Sequence, residues 1–243
     1  MSLQTAHLSK SFVKENGERK GILRDVSFTV KTGSFFSILG QSGGGKSTLL
    51  RILGGFEPYD AGQIFLNDTA VIRPSKKIMM IFQDYNQLFP WKTVRENILY
   101  AIKKTTASYN KAEVVEKADK CLEETGLLDY ADEYPKALSG GMKQRGALAR
   151  ALALQTEVLL MDEPFSSLDY FNRKKAQEML LRLWEQTRTT VVFVTHDIDE
   201  ALFLSQELAI LNIQTKKIEA VQDLQAVPEE QRKRLLEERI LSC

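Results

Sequence analysis

Three short stretches of the chain carry residue types that can do chemistry on phosphates. Gly40 to Thr48 reads GQSGGGKST and follows the apolar run Phe35 to Leu39, satisfying G-x-x-x-x-G-K-[ST] between a strand and a helix. Gly40, Gly43, Gly44 and Gly45 let the backbone turn around Gln41 and Ser42 until successive N–H groups and a helix N-terminus converge on phosphate oxygens. Lys46 would neutralise β- and γ-phosphate charge, and Ser47, next to Thr48, offers a hydroxyl to Mg²⁺, which prefers oxygen ligands. Val158 to Glu163, VLLMDE, is an apolar strand ending in two acids before Pro164. Asp162 is placed to hold the hydration shell of Mg²⁺, and Glu163 to orient or deprotonate an attacking water. In Leu138 to Arg145, LSGGMKQR, Ser139 reads as an N-cap, and Gly140 and Gly141 expose the N–H groups of a second helix start. One nucleotide with its own phosphate loop has no use for a second anion-binding helix end in the same chain.

The elements that position these residues follow from hydrophobic periodicity. Short strands are expected at Leu3 to Ser9, Asp25 to Val30, Phe35 to Leu39, Gln63 to Leu66, Ile78 to Phe82, Val158 to Met161, Thr190 to Thr195 and Glu207 to Asn212. Phe35 to Leu39, Val158 to Met161 and Val191 to Val194 are apolar at successive positions, as expected of parallel strands with helices on both faces. Strand signals stop between Asp84 and Leu154, where helices are expected near Val94 to Lys103, Lys111 to Thr125 and Ser139 to Leu154. That stretch reads as a helical subdomain inserted into the sheet. After Pro228, EEQRKRLLEERIL reads as a charged amphipathic helix, expected to be a solvated surface helix, with a dedicated partner site as the alternative.

With 243 residues, the chain can fill one domain with a subdomain, and two unrelated full domains are not expected. Its 33 Lys and Arg against 32 Asp and Glu remove the usual electrostatic driver of nucleic-acid binding. Cys121 and Cys243 have no metal-ligand spacing and are expected to be bystanders in a reducing compartment. No run approaches the length needed to cross a bilayer, and MSLQTAHLSKSF lacks the pattern of a secretion signal. Histidine chemistry has two positions to use, His7 and His196.

In their order, these residues resemble the nucleotide-binding subunit of ATP-binding cassette (ABC) transporters over nearly the whole chain. The resemblance implies a P-loop NTPase of ABC type: an α/β fold with a mainly parallel sheet core, an antiparallel N-terminal β region and an inserted α-helical subdomain. Residues 1–84 and 155–227 would form the core, 85–154 the helical subdomain and 228–243 a C-terminal helix. Gly40 to Thr48 is then the Walker A loop, Leu138 to Met142 the signature and Val158 to Glu163 the Walker B strand. By the same resemblance, Gln83 is the Q-loop glutamine that meets Mg²⁺ or its water, Ser167-Leu168-Asp169 the D-loop, and His196 in VTHDIDEA the switch histidine. Phe12 resembles the aromatic residue that stacks on adenine, although a core phenylalanine is an equal alternative. Two departures stand out: the signature ends in Met142 rather than the commoner glutamine, and Gly146 replaces a usual β-branched residue within a helix.

The resemblance also implies partners. Two cassettes pack head to tail around two ATP molecules, so that Ser139, Gly140 and Gly141 complete the site of the opposite subunit. Leu88-Phe89-Pro90-Trp91 with Thr93-Val94, and HDIDEALFL from His196, resemble the importer branch serving nitrate, sulfonate, taurine and thiamine precursors. The expected assembly is a peripheral, cytoplasmic ATPase pair on two transmembrane subunits, served indirectly by an extracytoplasmic solute-binding protein, with no nucleic acid. Phe89 and Trp91 can wall a groove for a partner helix, or Trp91 can pack inside the helical subdomain. A soluble ABC ATPase of DNA maintenance or translation would usually add a coiled-coil insertion or a second cassette. A small-molecule kinase would have no task for LSGGM or His196.

Overall fold

A computed structural model describes residues 2–84, 86–105 and 110–241, so Cys243 lies outside the described residues. Two long antiparallel strands open the fold, β1 (Ser2–Val13) and β2 (Arg19–Lys31). Both run further than their apolar alternation predicts, because pairing continues through Phe12↔Lys20 and Val13↔Arg19, where the side chains are exposed and carry no burial signal. A turn over residues 14–18 joins them, with Gly17 at φ +79° and the Lys14 N–H donating to the Glu18 carbonyl at 2.9 Å. β4 (Ala61–Leu66) pairs with the other edge of β1, and the two-residue β5 (Thr69–Ala70) completes an antiparallel sheet ordered β2-β1-β4-β5.

The second sheet contains β3 (Phe35–Leu39), β6 (Ile78–Ile81), β7 (Val158–Asp162), β8 (Thr190–Thr195), β9 (Glu207–Leu211) and β10 (Ile218–Asp223), in the order β10-β9-β3-β8-β7-β6. Its pairs are parallel except the β9–β10 hairpin. Every residue of β3, β7 and β8 is buried, in keeping with their uninterrupted apolar runs. α1 (Lys46–Leu53) inserts Leu49, Leu50, Ile52 and Leu53 between the two sheets, in one core with Leu3, Val26, Ile38 and Val194. The opposite face packs Phe35, Leu159 and Phe193 against Leu180, Leu183 and Trp184 of α5 (Tyr170–Thr187).

α2 (Val94–Thr105), α3 (Lys111–Glu124) and α4 (Gly140–Leu154) surround a core of their own that includes Val94, Ile98, Ala118, Leu122 and Ala149. Gly146 faces the Leu88 loop: a Cβ there would stand 3.0 Å from Leu88 Cδ1, the movable end of that side chain. A glycine within a helix costs about 1 kcal/mol in propensity relative to alanine. α6 (Ile198–Leu204) follows β8, and α7 (Glu229–Leu241) closes the described chain. α7 lies on the surface with its charged residues mostly exposed, as its amphipathic pattern predicts. Leu236 is fully buried with Leu39, Ala201 and Leu224, and Lys233 Nζ donates to Asp199 Oδ1 at 2.7 Å. A narrow apolar stripe suffices to dock this helix while its charges stay in solvent.

The parallel order brings the C-terminal ends of four neighbouring strands to one edge. β3 runs into Gly40, β7 ends at Asp162, β8 ends just before His196 and β6 ends just before Phe82 and Gln83. Ligands of open α/β sheets bind at such an edge.

Candidate functional site

The loop after β3 is shaped by its glycines at two points in particular. A Cβ on Gly40 would meet the Leu211 carbonyl oxygen at 2.6 Å, and Gly45 takes φ +100° with Ile22 Cγ2 2.9 Å from where its Cβ would lie. Gly45 caps α1 without any side-chain hydrogen bond, which leaves first-turn N–H groups facing the loop interior. Lys46 is only 4% exposed, and its Nζ donates to the carbonyls of Gly40 and Gln41, each at 2.9 Å. Burial pushes the Lys46 ammonium below its ordinary pKa, opposed by the nearby charges of Glu163 and Asp162.

Ser47 Oγ donates to Asp162 Oδ1 at 2.8 Å. Burial raises the Asp162 carboxyl above its usual range, and the Ser47 hydrogen bond partly opposes that shift. Among the described residues, no cluster of three or more His, Cys, Asp or Glu could cage a metal by itself. A hydroxyl beside a carboxylate, next to a phosphate loop, instead fits Mg²⁺, which keeps waters and takes phosphate oxygens as ligands.

Glu163 stands at the centre. Its Oε1 is 3.7 Å from Lys46 Nζ, while its Oε2 lies 3.4 Å from His196 Nδ1 and accepts a long 3.5 Å hydrogen bond from Gln83 Nε2. Glu163 adopts φ +44°, a left-handed backbone that costs a non-glycine residue about 1 kcal/mol or more. The strain is held by its N–H donating to the Val194 carbonyl at 3.1 Å and by Ser166 Oγ donating to its carbonyl at 3.0 Å. This kink turns the carboxylate out of the strand toward Lys46 and His196.

Ser139 caps α4 as its residue type predicts, its Oγ accepting from the Met142 N–H at 3.3 Å. With Gly140 and Gly141 it lines a cleft of about 730 Å³ shared with Ser167, Leu168 and Asp169. Lys46, Glu163 and His196 do not line that cleft, so one chain presents two separate groups of candidate residues. Asp169 is engaged by its own helix: Oδ1 accepts from the Asn172 N–H at 3.1 Å and Oδ2 from Asn172 Nδ2 at 2.6 Å. The Asn172 N–H holds the Asp169 carboxyl below its ordinary pKa.

Phe12 is 41% exposed, with Lys10 Nζ 4.6 Å from its ring centre, so the core-phenylalanine alternative is set aside. Ile22 on the paired strand touches Gly45, which brings this end of the hairpin against the phosphate loop. Trp91 is 70% exposed, and its packing inside the helical subdomain is likewise corrected.

The sequence pattern of the ABC transporter family matches residues 23–166, a span holding Gly40 to Thr48, Ser139 and Glu163. The chain belongs to the ABC transporter family. This ABC cassette is 42% identical to the aliphatic sulfonates import ATP-binding protein SsuB of Bacillus anthracis over 91% of its own length and 85% of that protein's. It is 41% identical to the nitrate import ATP-binding protein NrtD of Synechococcus elongatus, covering 84% of this chain and 74% of that one. Among solved structures, the dimeric bacterial ABC transporter cassette MJ0796 superposes with a TM-score of 0.82 at 31% identity, over 93% of this chain and all of that one. The same cassette in a post-hydrolysis state bound to ADP and Pi gives a TM-score of 0.81 at 32% identity.

Two residues of the cassette carry structural weight that motif reading did not single out. Asn97, fully buried, accepts from the Phe89 N–H at 2.7 Å and donates to the carbonyls of Phe89, Lys92 and Thr93. It thereby shapes the loop that presents Phe89 and Trp91. A polar residue breaking the apolar face of α2 was the available signal. Arg173 bridges Leu168 and Asp197, and nothing in its sequence neighbourhood announces this.

Proposed function

We propose that this ABC ATPase energises an importer for a small solute of the nitrate, sulfonate or taurine kind, working as a head-to-tail pair on two transmembrane subunits. The observation that carries the reading is Glu163, strained out of its strand and flanked by Lys46, His196 and Gln83. Identity above 40% to two import ATP-binding proteins supports the importer branch.

In this reading Lys46 exchanges the Gly40 and Gln41 carbonyls for the β- and γ-phosphate oxygens of ATP, while the N–H groups of Gly43 to Thr48 hold the remaining oxygens. Ser47, Asp162 and Gln83 would hold Mg²⁺, which when bound would neutralise charge on the phosphates undergoing transfer. Glu163 accepts the proton of the attacking water, and His196 bridges Glu163 and the γ-phosphate. Phe12 offers its exposed ring to the adenine. Ser139, Gly140, Gly141 and Asp169 serve the ATP of the opposite subunit, which accounts for their separation from Lys46 and Glu163.

Phe89 and Trp91 contribute to the membrane-subunit surface, with ring centres 5.5 Å apart on the loop after Gln83. Among the described residues no helix is long and apolar enough to cross a membrane, so attachment to the inner face of the membrane would run through those subunits. The test is reconstitution with the candidate transmembrane subunits and solute-binding protein in vesicles. Hydrolysis should rise with one solute of this class, whereas stimulation by DNA or ribosomes alone would favour the soluble alternative.

A further inference from the structure

Arg173, in the first turn of α5, reaches two segments on either side of the site. Its Nη2 donates to the Leu168 carbonyl at 3.2 Å and its Nη1 to Asp197 Oδ2 at 3.4 Å. Its Nε makes no hydrogen bond and stands 3.9 Å from Glu200 Oε1. Leu168 lies in the turn from Glu163 to α5, and Leu168 Cδ2 is 3.1 Å from where a Cβ on Gly141 would lie. Asp197 is the residue after His196.

The Asp197 end is tightly tied. Its Oδ1 accepts from the N–H groups of Asp199 at 2.8 Å and Glu200 at 3.2 Å, and its own N–H donates to Thr195 Oγ1 at 3.0 Å. Thr195 Oγ1 donates to Glu200 Oε2 at 2.7 Å, and Gln177 Nε2 donates to Glu200 Oε1 at 3.3 Å. Glu200 and Gln177 are both buried. Such a network keeps one geometry because each unmade bond inside it is costly. Both chain neighbours of His196 are therefore anchored to α5, whereas the His196 side chain is half-exposed and meets Glu163 at 3.4 Å. Where residues 195–197 are held decides whether that approach is kept.

We propose that Arg173 is a positioning residue for hydrolysis: its guanidinium keeps His196 beside Glu163 and relays any shift of residues 166–169 to them. The proposal rests on the hydrolytic reading of the site and adds to it a link between the Leu168 turn, which borders the Ser139 cleft, and the His196 turn. A planar guanidinium can hold two acceptors in fixed directions at once, which an ammonium on a flexible stem does not reproduce. Displacement of the Leu168 carbonyl removes one anchor, so the contact to Asp197 differs between two positions of the turn, as coupling requires.

The experiment compares Arg173→Gln and Arg173→Lys with the wild-type chain by ATP hydrolysis, ATP binding and proton NMR of the two histidine rings, with His7→Gln assigning the signals. For Arg173→Gln, kcat should fall about ten- to a hundredfold, the scale of a misplaced catalytic group. ATP affinity and KM should stay near wild type, the His196 resonance should move and the His7 resonance should not. Arg173→Lys should restore part of kcat. A folded Arg173→Gln chain with wild-type kcat, or with an unmoved His196 signal, overturns the proposal. A loss of kcat matched by loss of ATP affinity also overturns it, since Arg173 would then support the nucleotide site as a whole. Should Arg173→Gln not fold, Asp197→Asn decides: it keeps the α6 cap while removing the charge facing Arg173, and wild-type behaviour there is equally fatal. A wild-type chain without ATPase activity would defeat the hydrolytic reading, while the His196 resonance would still test whether Arg173 holds that turn.

Discussion

Ser47 Oγ donates a 2.8 Å hydrogen bond to Asp162 Oδ1, joining the first turn of α1 to the end of β7 across 115 sequence positions. The pair sets two oxygens side by side at the sheet edge where Lys46 and Glu163 also meet. Asp162 is nonetheless buried and its carboxyl raised above the ordinary range, so the ionised form destabilises the fold without a bound cation. A carboxyl with a raised folded-state pKa contributes most to stability below its unfolded pKa and loses that contribution as pH rises through the folded value. Asp162→Asn, which can still accept from Ser47, should therefore make the nucleotide-free chain more stable than wild type at neutral pH. The advantage should shrink as pH falls through the carboxylate range. Urea unfolding at several pH values measures this, and an advantage that grows toward acid would contradict the burial argument. Mg²⁺-dependent hydrolysis should be lost in the same variant.

Glu163→Gln keeps the shape of the side chain and removes the carboxylate proposed to accept the proton. Hydrolysis should fall at least about a hundredfold, the lower range for loss of a general base. ATP binding should persist, and a two-cassette species should accumulate with ATP on gel filtration. Full turnover in this variant would remove Glu163 from the role of base.

Lys46→Ala takes away the buried ammonium that now bridges the Gly40 and Gln41 carbonyls. Loss of charge-assisted hydrogen bonds of about 1.5–3 kcal/mol should weaken MgATP about ten- to a hundredfold. Calorimetric titration with MgATP reads this directly, and unchanged affinity would refute the assignment of the loop.

The separation of Ser139 from Lys46 makes a complementation test possible. In a mixture of Ser139→Arg and Lys46→Ala chains, a head-to-tail heterodimer has one site with both lesions and one with neither. Hydrolysis should reappear in the mixture although each variant alone lacks it. Absence of ATP-dependent association among wild-type chains would count against the arrangement.

Trp91 is exposed, and Phe89 packs between it, Tyr100 and Arg150. Changing Phe89 and Trp91 to Ala should leave ATP affinity of the isolated subunit intact while weakening assembly with the transmembrane subunits or uncoupling hydrolysis from transport. Trp91→Ala alone should change stability by no more than about 0.5 kcal/mol, as for other surface positions. Normal assembly and transport in the double variant would dismiss this loop as a coupling surface.

Much of this protein was determined locally and could be read without coordinates. The uninterrupted apolar runs of β3, β7 and β8 announce buried parallel strands because nothing polar interrupts either face. The glycines around Lys46, the acids ending β7 and the cap at Ser139 report their chemistry through neighbours a few residues away. The extension of β1 and β2 was not legible, because their paired ends face solvent. Tertiary structure alone decided that Trp91 points outward, that Gly146 faces Leu88, and that Arg173 spans Leu168 and Asp197. Each of these depends on which distant segment arrives at a given surface. Spacing along a chain encodes a helix face or a strand face, whereas contacts between elements form only once the sheet order has brought their ends together.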